Sequence, residues 1–196
     1  MVKLLKRLLA VLIVMVLLLG GAVWWLLSYM APDEQLDLRY APMDVKAKAL
    51  DMVKKLKAEL VLSEADINDL IKKHLNSEYA SRGAGGSSLE LAKDLRLDGA
   101  VFELEDDKLI ARMNVTYKDR IPAELDAVYL LEWQPPNIAL RPQSLSVKEM
   151  ALPVGLLETV IIPLDLPAQD VLSVRDVLFE KNQLRIRFKL QIQLPL

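Results

Sequence analysis

The sequence predicts an α+β protein in which an N-terminal transmembrane helix precedes one domain with helices packed on a long, curved antiparallel sheet. Three observations lead to this fold class. Residues 8–27 form an uninterrupted apolar run, and residues 44–57 and 64–75 repeat apolar side chains with helical spacing. The later residues change to the two-residue alternation of strands. The predicted organisation is a cytoplasmic N-terminus (1–7), a transmembrane anchor (8–28), a stalk (29–43) and an extracytoplasmic domain (44–196).

The apolar run at the N-terminus is long enough to cross a membrane. It has about 20 residues, carries no charged side chain, and matches the roughly 30 Å of hydrocarbon that a spanning helix crosses. A cleaved signal peptide has a shorter apolar core, followed by small residues. Here bulky side chains such as Trp24 and Trp25 follow, so an uncleaved anchor is predicted. Basic residues precede the run and acidic residues follow it, which predicts a single-pass protein with a cytoplasmic N-terminus.

Two helices follow the stalk. The first is rich in lysine, and its lysines either contact anionic headgroups or form an ordinary solvated face, which is the simpler interpretation. The second helix, 64–75, begins after Ser63 with an acid at Asp66, a pattern typical of a helix start, and ends near the glycine-rich segment 76–88. Its apolar face consists of Ile67, Leu70, Ile71 and Leu75.

Strands follow these helices. Asp106 and Asp107 interrupt an alternating pattern and therefore predict a hairpin turn. A calcium-binding loop is the alternative for two adjacent acids, but its ligand spacing is missing. A third strand ends at Pro135, and residues 153–161 predict a short apolar helix that begins with a proline. Residues 184–196 then alternate without a break, and at about 3.3 Å per residue this strand would be about 40 Å long.

No catalytic constellation is found in the sequence, so the protein is predicted not to be an enzyme. It has no cysteine and one histidine, and it lacks a phosphate-binding glycine loop. His74 lies beside the apolar face of its helix and is predicted to be a residue at the edge of the core. The 25 basic and 27 acidic residues leave no positive excess for nucleic acid. No catalytic residue, metal site or cofactor is predicted.

Four motifs in this order resemble the YpmS family of single-pass, extracytoplasmic proteins of Gram-positive bacteria. They are "LSEADINDLIKKHL" (62–75), "DDKLIARMNVTYK" (106–118), "LRPQSLSVKEMALPVGLLETVI" (140–161) and the terminal amphipathic strand. The helix start with Ser63, Ile67 and Asn68 is also similar to that of envelope proteins built as a helix held in a long curved sheet. Those proteins resemble tubular lipid-binding domains. The family has no established catalytic residues, so the resemblance implies none for this chain.

The apolar faces of the long strands form either an ordinary core or the lining of an elongated groove. If the helices fill the concave face of the sheet, these side chains are core; if they leave a gap, the gap is an apolar groove beside a membrane anchor. Trp133, Tyr117 and Tyr129 are placed at the mouth of such a groove, since each has an apolar body and a polar tip. The candidate lining consists of Ile67, Leu70, Ile71, Ala111, Met113, Val115, Tyr117, Tyr129, Leu131, Trp133, Ile186, Phe188, Leu190 and Ile192.

Two functions fit this organisation. The first is a membrane-anchored, extracytoplasmic binding module that handles a membrane lipid or an acyl-bearing precursor of the cell envelope. The second is a membrane-tethered scaffold that docks another envelope protein and takes no small-molecule ligand.

Overall fold

The computed structural model of the protein describes residues 2–54, 58–81, 89–92, 94–164, 166 and 172–190. Helices and a large antiparallel sheet make up most of these residues, which confirms the predicted α+β fold class. The helices are α1 (Val2–Met30), α2 (Val45–Lys54) and α3 (Glu64–Ser81).

Helix α1 contains the predicted anchor. Residues Lys6–Met30 form a helix that is long and apolar enough to cross a membrane, with a mean hydropathy of 2.6. Its large apolar side chains are exposed, as expected for a helix whose solvent is lipid and not the interior of the protein. Trp25 and Tyr29 stack near its end, with ring centroids 5.7 Å apart.

The larger sheet is an antiparallel meander. Its strands lie in the order of the chain, and β7 and β8 pair with different parts of the same edge of β6. Asp106 and Asp107 form the turn between β3 and β4, as the sequence predicts. The strands are β2 (Leu89–Ala92), β3 (Leu95–Glu105), β4 (Lys108–Tyr117), β5 (Ile121–Gln134), β6 (Asn137–Val147), β7 (Met150–Leu152) and β8 (Val160–Pro163).

One face of this sheet carries the hydrophobic core. On β4 the alternate residues Leu109, Ala111, Met113 and Val115 are buried, which confirms the predicted alternation. Tyr117 continues the same alternation but is 41% exposed, because β4 ends there and its last side chain extends beyond the core. The pattern therefore predicts the orientation of this strand correctly but not the burial of its last residue.

The smaller sheet has three strands in the order β1, β10 and β9. On β10, Leu184, Ile186 and Phe188 are buried, while Arg185 and Arg187 lie on the other face and form ion pairs with Glu59. The alternation predicted for the end of the chain is thus confirmed as far as Lys189, and residues 191–196 lie outside the described residues. The strands are β1 (Glu59–Ser63), β9 (Leu172–Glu180) and β10 (Gln183–Leu190).

The short helix predicted over 153–161 is wrong. Only Val154–Leu156 form a turn of 3-10 helix, and Val160–Pro163 form β8. The β-branched residues at 160–162 favour a strand, and β6 offers them an edge with which to pair. A non-local partner therefore overrides the local helical spacing.

Helix α3 is longer than predicted and continues to Ser81. Asn76 explains part of the extension, because its Nδ2 donates to the carbonyl oxygens of Lys72, in the preceding turn, and of Leu38. The glycines predicted to form a flexible loop, Gly83, Gly85 and Gly86, lie outside the described residues.

Candidate functional site

The candidate site is the place where α3 lies between the two sheets. A cavity of about 10 Å³ remains there, which is about the room that one water molecule needs. All of the side chains around it are apolar, and they come from α3 and from both sheets. We call this set the seam: Ile67, Leu70, Ile71, Leu104, Leu131, Ile138, Leu140, Ile162, Phe179 and Leu184.

Hydrogen bonds at its N-terminus set the position of α3. The Ser63 N–H donates to Asp66 Oδ2 (2.8 Å), and the Asp66 N–H donates to Ser63 Oγ (3.3 Å), so two groups at the helix start satisfy each other. Lys48 of α2 also donates to Asp66, at 2.6 Å. Burial raises the pKa of Asp66, but the hydrogen bonds from Lys48 and Ser63 outweigh it, so the pKa lies below its ordinary value. The Ser63–Asp66 pattern was the sequence feature that predicted this helix start.

Two polar side chains of α3 bind the backbone of β3. The Phe102 N–H donates to Asn68 Oδ1 (3.2 Å), and the Leu104 N–H donates to Glu64 Oε2 (2.9 Å). Beyond Leu97, no pairing of β3 with β2 is found among the described residues. Helix α3 therefore supplies hydrogen-bond acceptors to strand N–H groups, and its apolar face packs against the sheet.

The structure brings some of the predicted groove residues together and separates others. Four of the predicted residues line the cavity: Ile67, Leu70, Ile71 and Leu131. Six are buried in the core away from it: Ala111, Met113, Val115, Tyr129, Ile186 and Phe188. Trp133 is partly buried against the core, and Tyr117 is exposed. The side chain of Leu190 and all of Ile192 lie outside the described residues.

Six seam residues were not among the candidates chosen from the sequence. Leu104 and Leu184 alternate in phase with neighbours on their strands, so their orientation could have identified them. Ile162 could not have been found in this way, because its segment has helical spacing in the sequence and pairs as a strand in the structure.

A second feature, on the opposite face of the sheet, ties α1 to the domain. Residues 33–38, which we call the strap, belong to the segment predicted as a stalk, but they lie against the larger sheet. The Asp33 N–H donates to Glu124 Oε2 on β5 (3.0 Å), and Asn114 Nδ2 on β4 donates to the Glu34 carbonyl oxygen (2.6 Å). Glu124 and Asn114 are both buried, although each lies on the polar side of its strand.

The strap continues across β3 and reaches α3. The Ala100 N–H donates to the Asp37 carbonyl oxygen (3.3 Å). Gly99 leaves the space for this contact, since a Cβ atom there would lie 2.1 Å from the Leu36 carbonyl oxygen. A glycine within a strand often marks such a close approach of two backbones, but the sequence does not show which segment approaches. The strap then meets Asn76 of α3.

The ammonium group of Lys148 stabilises the position of Asp33, the first residue of the strap. Lys148 Nζ lies 2.6 Å from Asp33 Oδ2 and 3.5 Å from Glu124 Oε1. The hydrogen bond to Asp33 raises the pKa of Lys148, with a further contribution from the charge of Glu124. Burial and the neighbouring charge of Glu124 raise the pKa of Asp126. The strap contact is therefore a partly buried charge network, in contrast to the apolar seam.

The described residues contain no group of three or more His, Cys, Asp or Glu side chains that could hold a metal ion. His74 is partly buried on α3, as expected for a residue at the edge of the core. Neither the seam nor the strap brings a nucleophile together with a base. The arrangement offers apolar contact in one place and a polar tether in the other.

No family model, curated protein or solved structure matches this chain. The class of protein is therefore defined by its own architecture, which is an α+β domain behind an N-terminal helix that is long and apolar enough to cross a membrane.

Proposed function

We propose that the protein is a membrane-anchored, extracytoplasmic binding module that handles a lipid or an acyl-bearing envelope molecule and catalyses no reaction. The observation that carries this proposal is the seam, a cavity between a helix and two separate sheets that is lined by apolar side chains alone. Lys3, Lys6 and Arg7, which precede the apolar run, support the orientation, and the resemblance to the YpmS family supports the same class and a Gram-positive envelope.

Binding an acyl chain requires the seam to open. A pocket for a small molecule has a volume of roughly 300–1,000 Å³, far more than the cavity of about 10 Å³ between α3 and the sheets. Opening is compatible with the topology, because β9 and β10 belong to a different sheet from β3. Helix α3 and the smaller sheet can move away from the larger sheet while the hydrogen bonds within each sheet are kept. The movement costs the hydrogen bonds that Asn68 and Glu64 of α3 accept from β3.

Hydrogen bonds at one end of the seam define where such a movement would pivot. The Asp107 N–H donates to the Phe179 carbonyl oxygen, and the Asn182 N–H donates to the Leu104 carbonyl oxygen, both at 3.2 Å. These bonds join the β3–β4 turn to the β9–β10 turn. In the proposed opening the two turns stay together while the strands separate further along their length.

The energetics suit exchange with a membrane. Burying a methylene group is worth about 0.8 kcal/mol, so a 16-carbon chain gains roughly 13 kcal/mol from an apolar site. The same chain gains a similar amount in the bilayer. To receive a lipid, the seam therefore has to provide a burial free energy equal to that of the bilayer, and also to offset the free-energy cost of its own opening.

A photoactivatable palmitic acid tests this function on the full-length chain in lipid vesicles. We expect cross-links on peptides from α3, β5 and β6 as well as on α1. Leu70→Trp, which fills the seam, should remove the cross-links outside α1. Leu50→Trp, an exposed position on α2, is the matched control and should keep them. Labelling confined to α1 in the unaltered protein would contradict the proposal.

The scaffold function is the second candidate, and exposed apolar side chains favour it. Leu156, in the 3-10 turn between β7 and β8, is 60% exposed, and Ile161 on β8 is 39% exposed. Both lie along the edge that β7 and β8 form on β6. A photo-crosslinker placed at Leu156 in native membranes should then give one discrete protein adduct. The same group at exposed Lys108, at the far end of β4, should give none.

A further inference from the structure

We propose that two turns at one end of the larger sheet contact the lipid headgroup region beside α1. The first turn is Tyr117–Ile121, between β4 and β5, and the second is Lys148–Met150, between β6 and β7. We call them the membrane-facing turns. This inference rests on α1 as a membrane-spanning helix and is independent of lipid binding in the seam.

The strap places these turns close to the point where α1 ends. Asp33 follows Met30, the last residue of α1, by three residues, so it lies within roughly 11 Å of it. The side chain of Asp33 forms an ion pair with Lys148, which belongs to the second turn itself. Helix α1 also contacts β5, and Met30 packs against the core of the domain.

The strap also restricts the tilt of the sheet. It is hydrogen-bonded in succession to Glu124 on β5, Asn114 on β4 and Ala100 on β3. Because the segment is fixed at three strands, it does not let the domain rotate freely about the end of α1. The end of the sheet that carries Lys148 therefore stays beside the end of α1.

The side chains of the membrane-facing turns suit the headgroup region. Tyr117 and Met150 are each 41% exposed, and aromatic side chains are common at this depth because they combine an apolar body with a polar tip. Lys118 Nζ lies 5.2 Å from the centroid of the Tyr117 ring. With exposed Arg120, it provides donors for lipid phosphate oxygens.

Two of the acidic side chains at this end are already paired with cations. Asp119 Oδ1 lies 2.8 Å from Arg96 Nη1, and Asp33 Oδ2 lies 2.6 Å from Lys148 Nζ. Pairing reduces the repulsion that these carboxylates would exert on lipid phosphates. Glu149 of the second turn is also exposed, so the approach requires Lys118, Arg120 and the apolar side chains of the turns to outweigh its charge.

The opposite end of the sheet has a different composition. Strand β4 runs from Lys108 to Tyr117, so its two ends lie roughly 30 Å apart. The β3–β4 turn there consists of charged residues, and Glu105 forms an ion pair with Lys181 of the neighbouring β9–β10 turn. Large exposed apolar side chains therefore occur in the turns near α1 and not in these two.

The test uses the absence of cysteine from the sequence, since each introduced cysteine is then the only one. Full-length Met150→Cys, Lys108→Cys and Leu156→Cys are each labelled with an environment-sensitive fluorophore and placed in phosphatidylglycerol–phosphatidylethanolamine vesicles. Lipids with a spin label near the headgroup act as quenchers. All three positions are exposed, so the substitutions leave the core unchanged. Trp24→Cys, at an exposed position near the C-terminal end of α1, is the positive control for insertion.

We expect strong quenching at Met150 and Trp24 and at least a fivefold weaker effect at Lys108 and Leu156. Quenching at Leu156 without quenching at Met150 would overturn the inference, because the sheet would then lie on its edge. Quenching at Trp24 alone would also overturn it, because the domain would then not contact the membrane. Circular dichroism of each labelled protein establishes that the fold is retained.

Discussion

The seam and the strap hold opposite faces of the same sheet, and they do so by different physical interactions. Apart from the two hydrogen bonds that α3 accepts from β3, the seam joins α3 to both sheets through apolar side chains, whose attraction depends on buried area and has no preferred direction. The strap is held by hydrogen bonds and by the ion pairs of Lys148, which need particular distances and angles. An apolar contact can separate gradually and re-form in a shifted position, whereas a hydrogen-bonded one is either made or lost. The seam is therefore suited to adapt its shape, and the strap is suited to fix orientation.

The largest expected effect comes from a charge on the apolar side of β10. Phe188 is 4% exposed, so Phe188→Asp would bury an unpaired carboxylate in the core. We expect the free energy of unfolding to fall by about 4 kcal/mol or more, which is much of the stability of a typical domain. Urea unfolding measures the loss. Lys189→Asp, at the exposed neighbour, is the control and should keep a midpoint close to wild type. Equal midpoints for the two variants would show that the face assigned to this strand is wrong.

A smaller effect is expected when the strap is displaced. In Gly99→Ala the new methyl group would overlap the Leu36 carbonyl oxygen, so the strap must move away from β3. We expect a loss of about 1–3 kcal/mol in the free energy of unfolding. Hydrogen exchange should also become faster at residues 33–38, while α3 keeps its protection.

Gly155→Ala is the matched control for the strap variant. No atom lies within 4 Å of a Cβ built at Gly155, so this substitution should leave both stability and exchange unchanged. If Gly99→Ala instead increased exchange in α3 as strongly as in the strap, the strap and the seam would belong to a single cooperative unit and would not act separately.

The smallest expected effect concerns the start of α3. Because the pKa of Asp66 is lowered in the folded state, its ionised form adds stability above the ordinary value of 3.8. That contribution is lost as the pH falls through the folded-state pKa. Asp66→Asn should therefore cost about 0.5 kcal/mol at pH 7, and the difference from wild type should shrink below pH 3.8. Urea midpoints measured from pH 7 to pH 2.5 test this expectation. A difference that stays constant with pH would assign the effect to packing instead.

Patterns that depend on neighbours in the chain could be predicted from the sequence. The apolar run of α1, the Ser63–Asp66 helix start and the alternation of β4 and β10 each require only local periodicity, and the structure agrees with them. The candidate site is partly predictable for the same reason. Side chains such as Ile67 and Leu131 face inward as their spacing indicates, but spacing does not show how closely α3 fills the sheet.

Features that depend on distant partners could not be predicted. Glu124 and Asn114 lie in polar positions of alternating strands, where exposure is the usual expectation, and the strap buries them. The helical spacing at 153–161 gives way to β8 because β6 provides an edge for pairing. In each case the deciding contact joins residues far apart in the chain.

The contact between Asp33 and Lys148 also has a consequence for the order of synthesis. The two residues are 115 positions apart. At a ribosomal rate of about 5–20 residues per second, Asp33 waits on the order of 10 s for its partner to be made. For most of that interval α1 is complete while the strap still lacks β5, and for its last part it lacks only Lys148. Docking of the strap is therefore among the late events of assembly, and until then the growing sheet is connected to α1 by a loose chain.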